Sequence, residues 1–333
     1  MSDLTGQAAD SAALPIAVRP AFRLWWPGLV SGLAWAVAAA VTGLLPDHVR
    51  APVARPLVEL EGAVAILSGL FALIGPSGWY APLARHGRRV AALGVVVAVW
   101  EVVTAKTGWL PLPFFPSPQA VLDVYRVDSA RLGHSVISSL LLLFPGFGLG
   151  ALSGFLAGLA MGWSPEARYW GHPVIRLLGP LPPIAWLPVA LFVFPTISAA
   201  SIFLIALATA FPVAVLTASG VMLVDSRLYD VGRTLGASDG FLIRTIVIPA
   251  SLPHVFVGLF MGLGASFIVL IVAEMLGAKA GLGWYLQWAQ GWAAYANLYA
   301  ALAVMSVLFS GLTMALFAAR RQALRWNRET VQW

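Results

Sequence analysis

Long apolar runs separated by short polar stretches recur along the 333-residue chain. Each run is close to the length of about 20 residues that an α-helix needs to cross the apolar core of a bilayer. The pattern predicts about eight membrane-spanning helices, near residues 24–45, 57–80, 90–107, 135–161, 172–194, 199–223, 255–276 and 297–319. The predicted fold class is therefore an all-α polytopic membrane protein.

The start of the chain is polar and is expected to form a cytoplasmic tail, residues 1–23. Arg19 and Arg23 precede the first apolar run, as the basic residues of a signal peptide would. That run, however, is long for the apolar part of a signal peptide, so an uncleaved first span is predicted.

The fifth apolar run is interrupted by the sequence Gly-Pro-Leu-Pro-Pro-Ile-Ala-Trp-Leu-Pro at 179–188. Proline lacks a backbone N–H and breaks or kinks a helix. Carbonyls freed at membrane depth are tolerated where they pack on protein or line a wet cavity. The run therefore indicates either a translocation pathway, with Pro182, Pro183, Trp186 and Pro188 as its candidate residues, or a buried packing kink.

A stripe of small residues runs along the fourth predicted span, where Gly146, Gly150, Gly154 and Gly158 recur at every fourth position. Glycines at this spacing share one face of a helix and let a second helix approach closely. The stripe is interpreted as a packing surface between helices, in preference to a ligand site.

Of the ionisable side chains in or at the ends of predicted spans, where charge is costly and such groups are often functional, three bear on the argument. Glu101 and Lys106 are five residues apart, one too many for an α-helical i,i+4 pair, so no ion pair is predicted between them. Glu274, at the end of the seventh span, is expected to fix a gate or the following loop, or else to face the membrane interface.

The largest polar island among the later spans covers residues 225–253 and carries three Asp and three Arg. A charged segment of this kind must lie outside the hydrocarbon. Gly236 at its centre permits a tight turn between two short helices. The island is large enough to be a docking surface.

The composition agrees with a membrane protein, since the chain is 60% hydrophobic and 10% charged, with a mean hydropathy of +0.85. The sequence pI of about 10.1 comes from basic residues scattered among loops, so no nucleic-acid partner is expected. The chain has no cysteine and its five histidines are scattered, so no metal site is predicted. Placing both termini in the cytoplasm puts 14 of the 20 Arg and Lys residues on cytoplasmic segments, as the positive-inside rule requires.

The polar island resembles the cytoplasmic loop of ATP-binding-cassette importer permeases. That family has Glu-Ala-Ala where this chain has Asp230-Val231-Gly232; the glycine four residues on is Gly236, and two proline pairs, Ile248-Pro249 and Leu252-Pro253, match the ending. From this resemblance the island is expected to be a coupling loop, with the residues Asp230, Gly232, Arg233, Gly236 and Ala237 serving the coupling.

The resemblance extends over residues 90–328 and is to permeases for nitrate, sulfonates including taurine, and bicarbonate. It is carried by Pro116-Ser117-Pro118, the proline-rich run, the coupling loop and Ala273-Glu274-Met275-Leu276-Gly277. It implies a type I permease core of about six helices, preceded by two extra spans at 24–80.

The resemblance implies the transmembrane subunit of an ATP-driven importer for a small anion, in the plasma (inner) membrane of a bacterium. This subunit is not an enzyme and holds no cofactor; ATP and Mg²⁺ are expected on partner ATPase subunits. The other implied partners are a second permease copy, an extracytoplasmic solute-binding protein and the lipid membrane. The alternative is a secondary transporter driven by an ion gradient, which would show repeated halves and an acidic relay.

Overall fold

The structure is a computed structural model that describes residues 25–48, 54–74 and 86–326. The predicted tail at 1–23 lies outside the described residues. Every regular element in the described part is helical. The α-helices are α1 (Trp26–Leu44), α2 (Arg55–Ile74), α3 (Gly87–Glu101), α4 (Pro118–Val127), α5 (Ser129–Trp163), α6 (Pro165–Leu178), α7 (Leu187–Val193), α8 (Ile197–Met222), α9 (Ser226–Thr234), α10 (Asp239–Leu242), α11 (Ile248–Gly277), α12 (Leu282–Gly291) and α13 (Tyr295–Ala323).

Six of these helices are long and apolar enough to cross a membrane, or seven if α6 and α7 count as one bent span. Helix α3 has only 15 residues, but a five-residue π-helical turn, Val102–Lys106, prolongs it. Each of the eight predicted spans therefore corresponds to a helix or to a bent pair of helices. The polytopic all-α fold is confirmed.

Two compact units divide the chain at Trp109. In the N-terminal unit α1 packs against α2 and α3, and the indole N–H of Trp35 donates to the carbonyl of Val90 at 2.9 Å. Helix α3 thus packs on α1, the first of the two spans that precede it.

An ion pair forms between Lys106 and Glu101, with 3.6 Å between the ammonium and a carboxylate oxygen, so the prediction that they do not pair was wrong. The cause is the π-helical turn between them, because its wider winding brings residues five apart onto one side. The Lys106 ammonium also binds Asp47 at 2.6 Å and the carbonyls of Thr42 and Leu45.

The core of the C-terminal unit is the pair α5 and α8, which meet along the glycine stripe. A side chain at Gly150 would collide with Ala206 and Thr209, and one at Gly158 with Ala214 and Thr217. The predicted role of the stripe in helix packing is confirmed. Since the numbers on both helices rise together, α5 and α8 run in the same direction.

Parallel neighbours require the chain between them to return to its starting side. Helix α6, a 3₁₀ turn (Pro183–Trp186) and helix α7 make this return, bent by 88° at the break between α6 and the 3₁₀ turn. The fifth predicted span is therefore broken where its prolines cluster. Helix α11 then packs antiparallel on α8, with Gly258 against Val213 and Gly262 against Thr209.

Two boundaries differ from the sequence expectation. Helix α11 begins at Ile248, so the proline pairs that end the polar island lie inside its first two turns. The loop expected after the seventh span contains a helix, α12.

Candidate functional site

The polar island folds into two short helices joined by a turn at Gly236. Asp225 accepts a hydrogen bond from the Arg227 amide at the start of α9, and Ser238 caps α10 by accepting from the amide of Phe241. Both helices thus begin with the short polar side chains that satisfy free N–H groups. The two-helix arrangement predicted from the glycine is present.

The turn itself requires glycine. Gly236 has φ +79°, and its amide and that of Ala237 donate back to the carbonyls of Arg233 and Gly232 at 2.9 and 3.0 Å. This is the usual helix ending in which one residue takes the left-handed conformation. An ion pair of 3.6 Å between Arg233 and Asp239 spans the turn.

The predicted coupling residues lie together on this surface, where Asp230, Arg233 and Gly236 are exposed and Gly232 and Ala237 are partly buried. A side chain at Gly232 would meet Leu242, which is fully buried beneath α9. Gly232 therefore allows α9 to sit close on the following segment, which explains a small residue at this position.

An apolar face on α9 was missed by the sequence reasoning. Leu228, Val231 and Leu235 are 48%, 60% and 82% exposed, and Phe241 on α10 is 56% exposed. The first three are spaced i, i+3, i+7 and share one helix face. That spacing was visible in the sequence but was masked by the charges between. Exposed apolar groups concentrated in this way on a polar segment make it a candidate binding surface.

The same surface is fastened to the ends of α5 and α8. Tyr229 packs edge-on against Trp163 with 5.6 Å between ring centroids, and burial raises the pKa of Tyr229. Arg168 donates to the last carbonyls of α5, those of Met161 and Gly162, at 3.0 and 2.9 Å. A cavity of about 480 Å³ lies between these groups. The Tyr229–Trp163 contact therefore joins α9 directly to the end of α5.

The broken span puts its four candidate pathway residues in different settings. Trp186 is partly buried against the core cluster that includes Leu143 and Leu204. Pro183 is partly buried, whereas Pro182 and Pro188 are exposed. The amides on either side of the break bond locally, Leu181 to the carbonyl of Leu178 and Ala185 to that of Pro182.

At the opposite end of α5 the Glu274 carboxylate is fully buried and does not face an interface. One of its oxygens accepts from the Ser139 hydroxyl at 3.0 Å and from the Gly283 amide at 2.8 Å. Ser139 in turn accepts from the Leu282 amide at 2.8 Å. A carboxylate and a hydroxyl thus bind the free N–H groups at the start of α12, where the helix dipole favours negative charge. We call this arrangement the Glu274 lock.

A second polar cluster holds the middle of α12. The buried Tyr285 hydroxyl donates to Asp128 at 2.7 Å, and the Asn297 amide donates to the Tyr285 oxygen at 2.7 Å. Burial is the main cause that raises the pKa of Tyr285 well above its ordinary value, so the hydroxyl stays protonated and can donate. Arg131 pairs with Asp128 and lies 4.6 Å from the centre of the Trp288 ring.

The candidate residues therefore lie in three places: at each of the two ends of α5, and at the break between α6 and the 3₁₀ turn. Ser139 and Gly162 are 23 residues apart on α5, which is about 35 Å at 1.5 Å per residue, a little more than the apolar thickness of a bilayer. The coupling residues lie at one end and the Glu274 lock at the other.

The chain belongs to the family of binding-protein-dependent transport system inner membrane components, whose pattern matches residues 146–326. It is the permease class of transport subunit, which carries out no bond chemistry.

Named relatives agree with this assignment. A probable ABC transporter permease protein of Brucella abortus is 31% identical over 249 residues, which is 74% of this chain and 98% of the relative. The taurine transport system permease protein TauC of Escherichia coli is 32% identical over 259 residues, covering 75% and 94% of the two chains. The nitrate import permease protein NrtB of Synechococcus elongatus is 30% identical over 223 residues, covering 62% and 75%. The chain is thus an ABC importer permease of the nitrate, sulfonate and taurine group, a multi-pass membrane protein.

Proposed function

We propose that this chain is the pore-forming subunit of an ATP-driven importer for a small anion such as nitrate, taurine or another sulfonate, or bicarbonate. The observation that carries the proposal is the exposed apolar face of α9 and α10, held on a glycine turn and fastened to α5. Such a face outside the membrane is the kind of surface that seats in the cleft of a partner protein. The similarity to taurine and nitrate permeases supports the substrate class.

In the proposed complex ATP and Mg²⁺ are bound by separate ATPase subunits, because the sequence has no glycine-rich phosphate loop followed by lysine. Two permease copies form the pore, each gripped at its α9–α10 turn, and a solute-binding protein delivers the anion from outside. Both termini and the α9–α10 surface are cytoplasmic in this arrangement, which fits the distribution of basic residues.

The proposed roles of the site residues follow from their places. Closure of the ATPases pulls on α9, with Asp230, Gly232, Arg233, Gly236 and Ala237 shaping the contact, and tilts α5 and α8 as rigid bodies. The break at Pro182 to Pro188 borders the anion pathway, with Trp186 positioned by the core. Glu274 fixes α12 at the outer gate.

The first experiment is co-purification of the ATPase subunit from native membranes with the intact chain. Leu235→Asp places a charge on the apolar face without touching the buried side, so it should abolish co-purification while insertion stays normal. Leu235→Met keeps the surface apolar and serves as the control. Gly236→Pro cannot adopt φ +79° and lacks a backbone N–H, so it should disrupt the turn and prevent uptake.

Retention of the ATPase by Leu235→Asp would disprove this docking surface. If the chain purifies alone and transports anions after reconstitution without ATP, the alternative of a secondary transporter is correct instead. For the substrate, nitrate and taurine are compared as stimulants of ATP hydrolysis by the reconstituted complex.

A further inference from the structure

An apolar groove lies between α11 and α13, away from the coupling surface and the Glu274 lock. Its volume is about 420 Å³. Six apolar side chains and one arginine line it, namely Phe256, Val257, Phe260, Met261, Leu316, Phe317 and Arg320. The rings of Phe260 and Phe317 meet across the two helices with 5.4 Å between centroids.

The groove ends at a cluster of positive charge. Arg320 and Arg321 lie in the last turn of α13, and Arg325 follows immediately. Among the described residues, Arg320 has neither an acidic partner nor a hydrogen-bond acceptor for its guanidinium. The exposed Trp326 follows, and tryptophan is typical of the level of lipid headgroups.

The length of α13 places this cluster at the membrane surface. Its 29 residues extend about 43 Å, more than the roughly 30 Å of bilayer hydrocarbon, so its last turn reaches the headgroup region. Arg320 is thus at headgroup depth, while the apolar walls of the groove run back into the hydrocarbon. The groove combines an apolar channel with a cation at its mouth.

We propose that this groove is a binding site for an anionic phospholipid, with an acyl chain between α11 and α13 and the headgroup phosphate on Arg320. Basic pockets between membrane helices recognise acidic lipid headgroups, because a guanidinium binds two phosphate oxygens at once. This site goes beyond the transport function and does not depend on it.

An acyl chain suits this groove better than a peptide segment does. A non-helical peptide would leave its backbone polar groups without partners against an almost wholly apolar wall. An acyl chain has no such groups and is narrower, so a lipid is the occupant that both the size and the charge favour.

The test is native mass spectrometry of the full-length chain, purified in mild detergent and titrated with phosphatidylglycerol or with phosphatidylcholine of the same acyl chains. Wild type should retain phosphatidylglycerol in preference. Arg320→Gln should weaken retention about fivefold, the factor expected from one basic residue at a headgroup. Val257→Trp should weaken it too, because the indole fills the groove without changing the charge.

Arg126→Gln, an exposed arginine on α4, is the matched control and should bind as wild type does. Each variant is first checked for the same elution volume and melting temperature without added lipid. Equal binding of the two lipids, or equal losses in Arg320→Gln and Arg126→Gln, would overturn the proposal. So would a disulfide between copies carrying Val257→Cys in membranes, because that would place a second copy on the groove.

Discussion

Gly281 is the residue on which the Glu274 lock depends most directly. Its φ is +127°, a conformation that L side chains rarely adopt, and a Cβ atom there would collide with the Glu274 carboxylate. The glycine thus lets the chain turn tightly over a buried charge and present the amides of Leu282 and Gly283 to Ser139 and Glu274.

Gly281→Ala is therefore expected to open the lock, at a cost of about 1–3 kcal/mol from backbone strain. The amides of Leu282 and Gly283 should exchange hydrogen for deuterium faster, as followed by mass spectrometry of peptides covering α12. Gly291→Ala is the control, because nothing lies within 4 Å of the added Cβ. Unchanged protection in Gly281→Ala would show that the lock is not needed to hold α12.

In the N-terminal unit, Lys106 is the residue that holds a buried polar cluster together. Its side chain is only 5% exposed and binds Glu101 and Asp47. The fully buried Glu61 carboxyl lies within interaction range of both the Thr42 hydroxyl and the Lys106 ammonium. One ammonium group therefore compensates several acidic groups among three helices.

Lys106→Met should destabilise the protein by about 3–5 kcal/mol, the cost of leaving a buried charge without its partner. The measurement is the temperature at which the detergent-purified protein loses its monodisperse elution peak. The double variant Glu101→Gln with Lys106→Met removes both charges and should recover part of the loss. If the double variant is no more stable than the single one, the ion pair does not carry the effect.

At residue level only part of this arrangement could be predicted. Glu274 stood out because it is ionisable at the end of a span, but its partner Ser139 is 135 positions away and looked like any serine. The Glu101–Lys106 pair was rejected on α-helical spacing, and a local π-helical turn reversed that answer. Long-range pairing and local changes of helix type leave no periodic trace in a sequence.

Among the elements, the pairing of α5 with α8 determines the architecture of the C-terminal unit. Glycine at every fourth position of α5, about once per helical turn, allows the backbone of α8 to come within contact distance. In a membrane such close packing replaces the hydrophobic effect as the force that joins helices. A larger residue in the stripe should therefore destabilise the whole interface between α5 and α8.

Gly154→Val places side-chain atoms against the backbone of Ala210 and should destabilise the pair by about 1–3 kcal/mol or more, as overpacking does. Gly148→Val on the same helix is the matched control, because Gly148 is exposed with nothing within 4 Å of an added Cβ. Thermal melting in detergent should separate the two variants. Similar melting temperatures would contradict the role of the stripe.

The elements themselves were largely predictable, because apolar length and proline or glycine punctuation are local signals. The glycine stripe gave the packing face, and the proline cluster gave the break of 88° between α6 and the 3₁₀ turn. Helix α12 was not predicted, since its ten residues carry no clear apolar periodicity. Its position is determined by tertiary contacts, namely the hydrogen bond from the Gly283 amide to Glu274 and that from the Tyr285 hydroxyl to Asp128.

On the scale of the whole molecule, α5 connects two surfaces that the sequence treated separately. Trp163 at one end packs on α9, and Ser139 near the other end binds the Glu274 lock. A rigid helix held at both ends can pass a movement of the coupling surface to the opposite face. The proposed import mechanism therefore requires these two surfaces to lie on opposite sides of the membrane.

This requirement can be tested with single cysteines, because the chain has none of its own. Asp239→Cys, in the α9–α10 surface, should react with a membrane-impermeant maleimide only after the cell membrane is permeabilised. Lys279→Cys, between Glu274 and α12, should react in intact cells once an outer membrane, if present, is made permeable. The expected difference follows from the distribution of basic residues, of which 14 of 20 lie on the proposed cytoplasmic side. It also follows from the position of α11, which lies between the two cysteines and is proposed to cross the membrane. If both cysteines react from the same side, α11 does not cross the membrane; if the sides are exchanged, the docking surface faces away from ATP and the import mechanism fails.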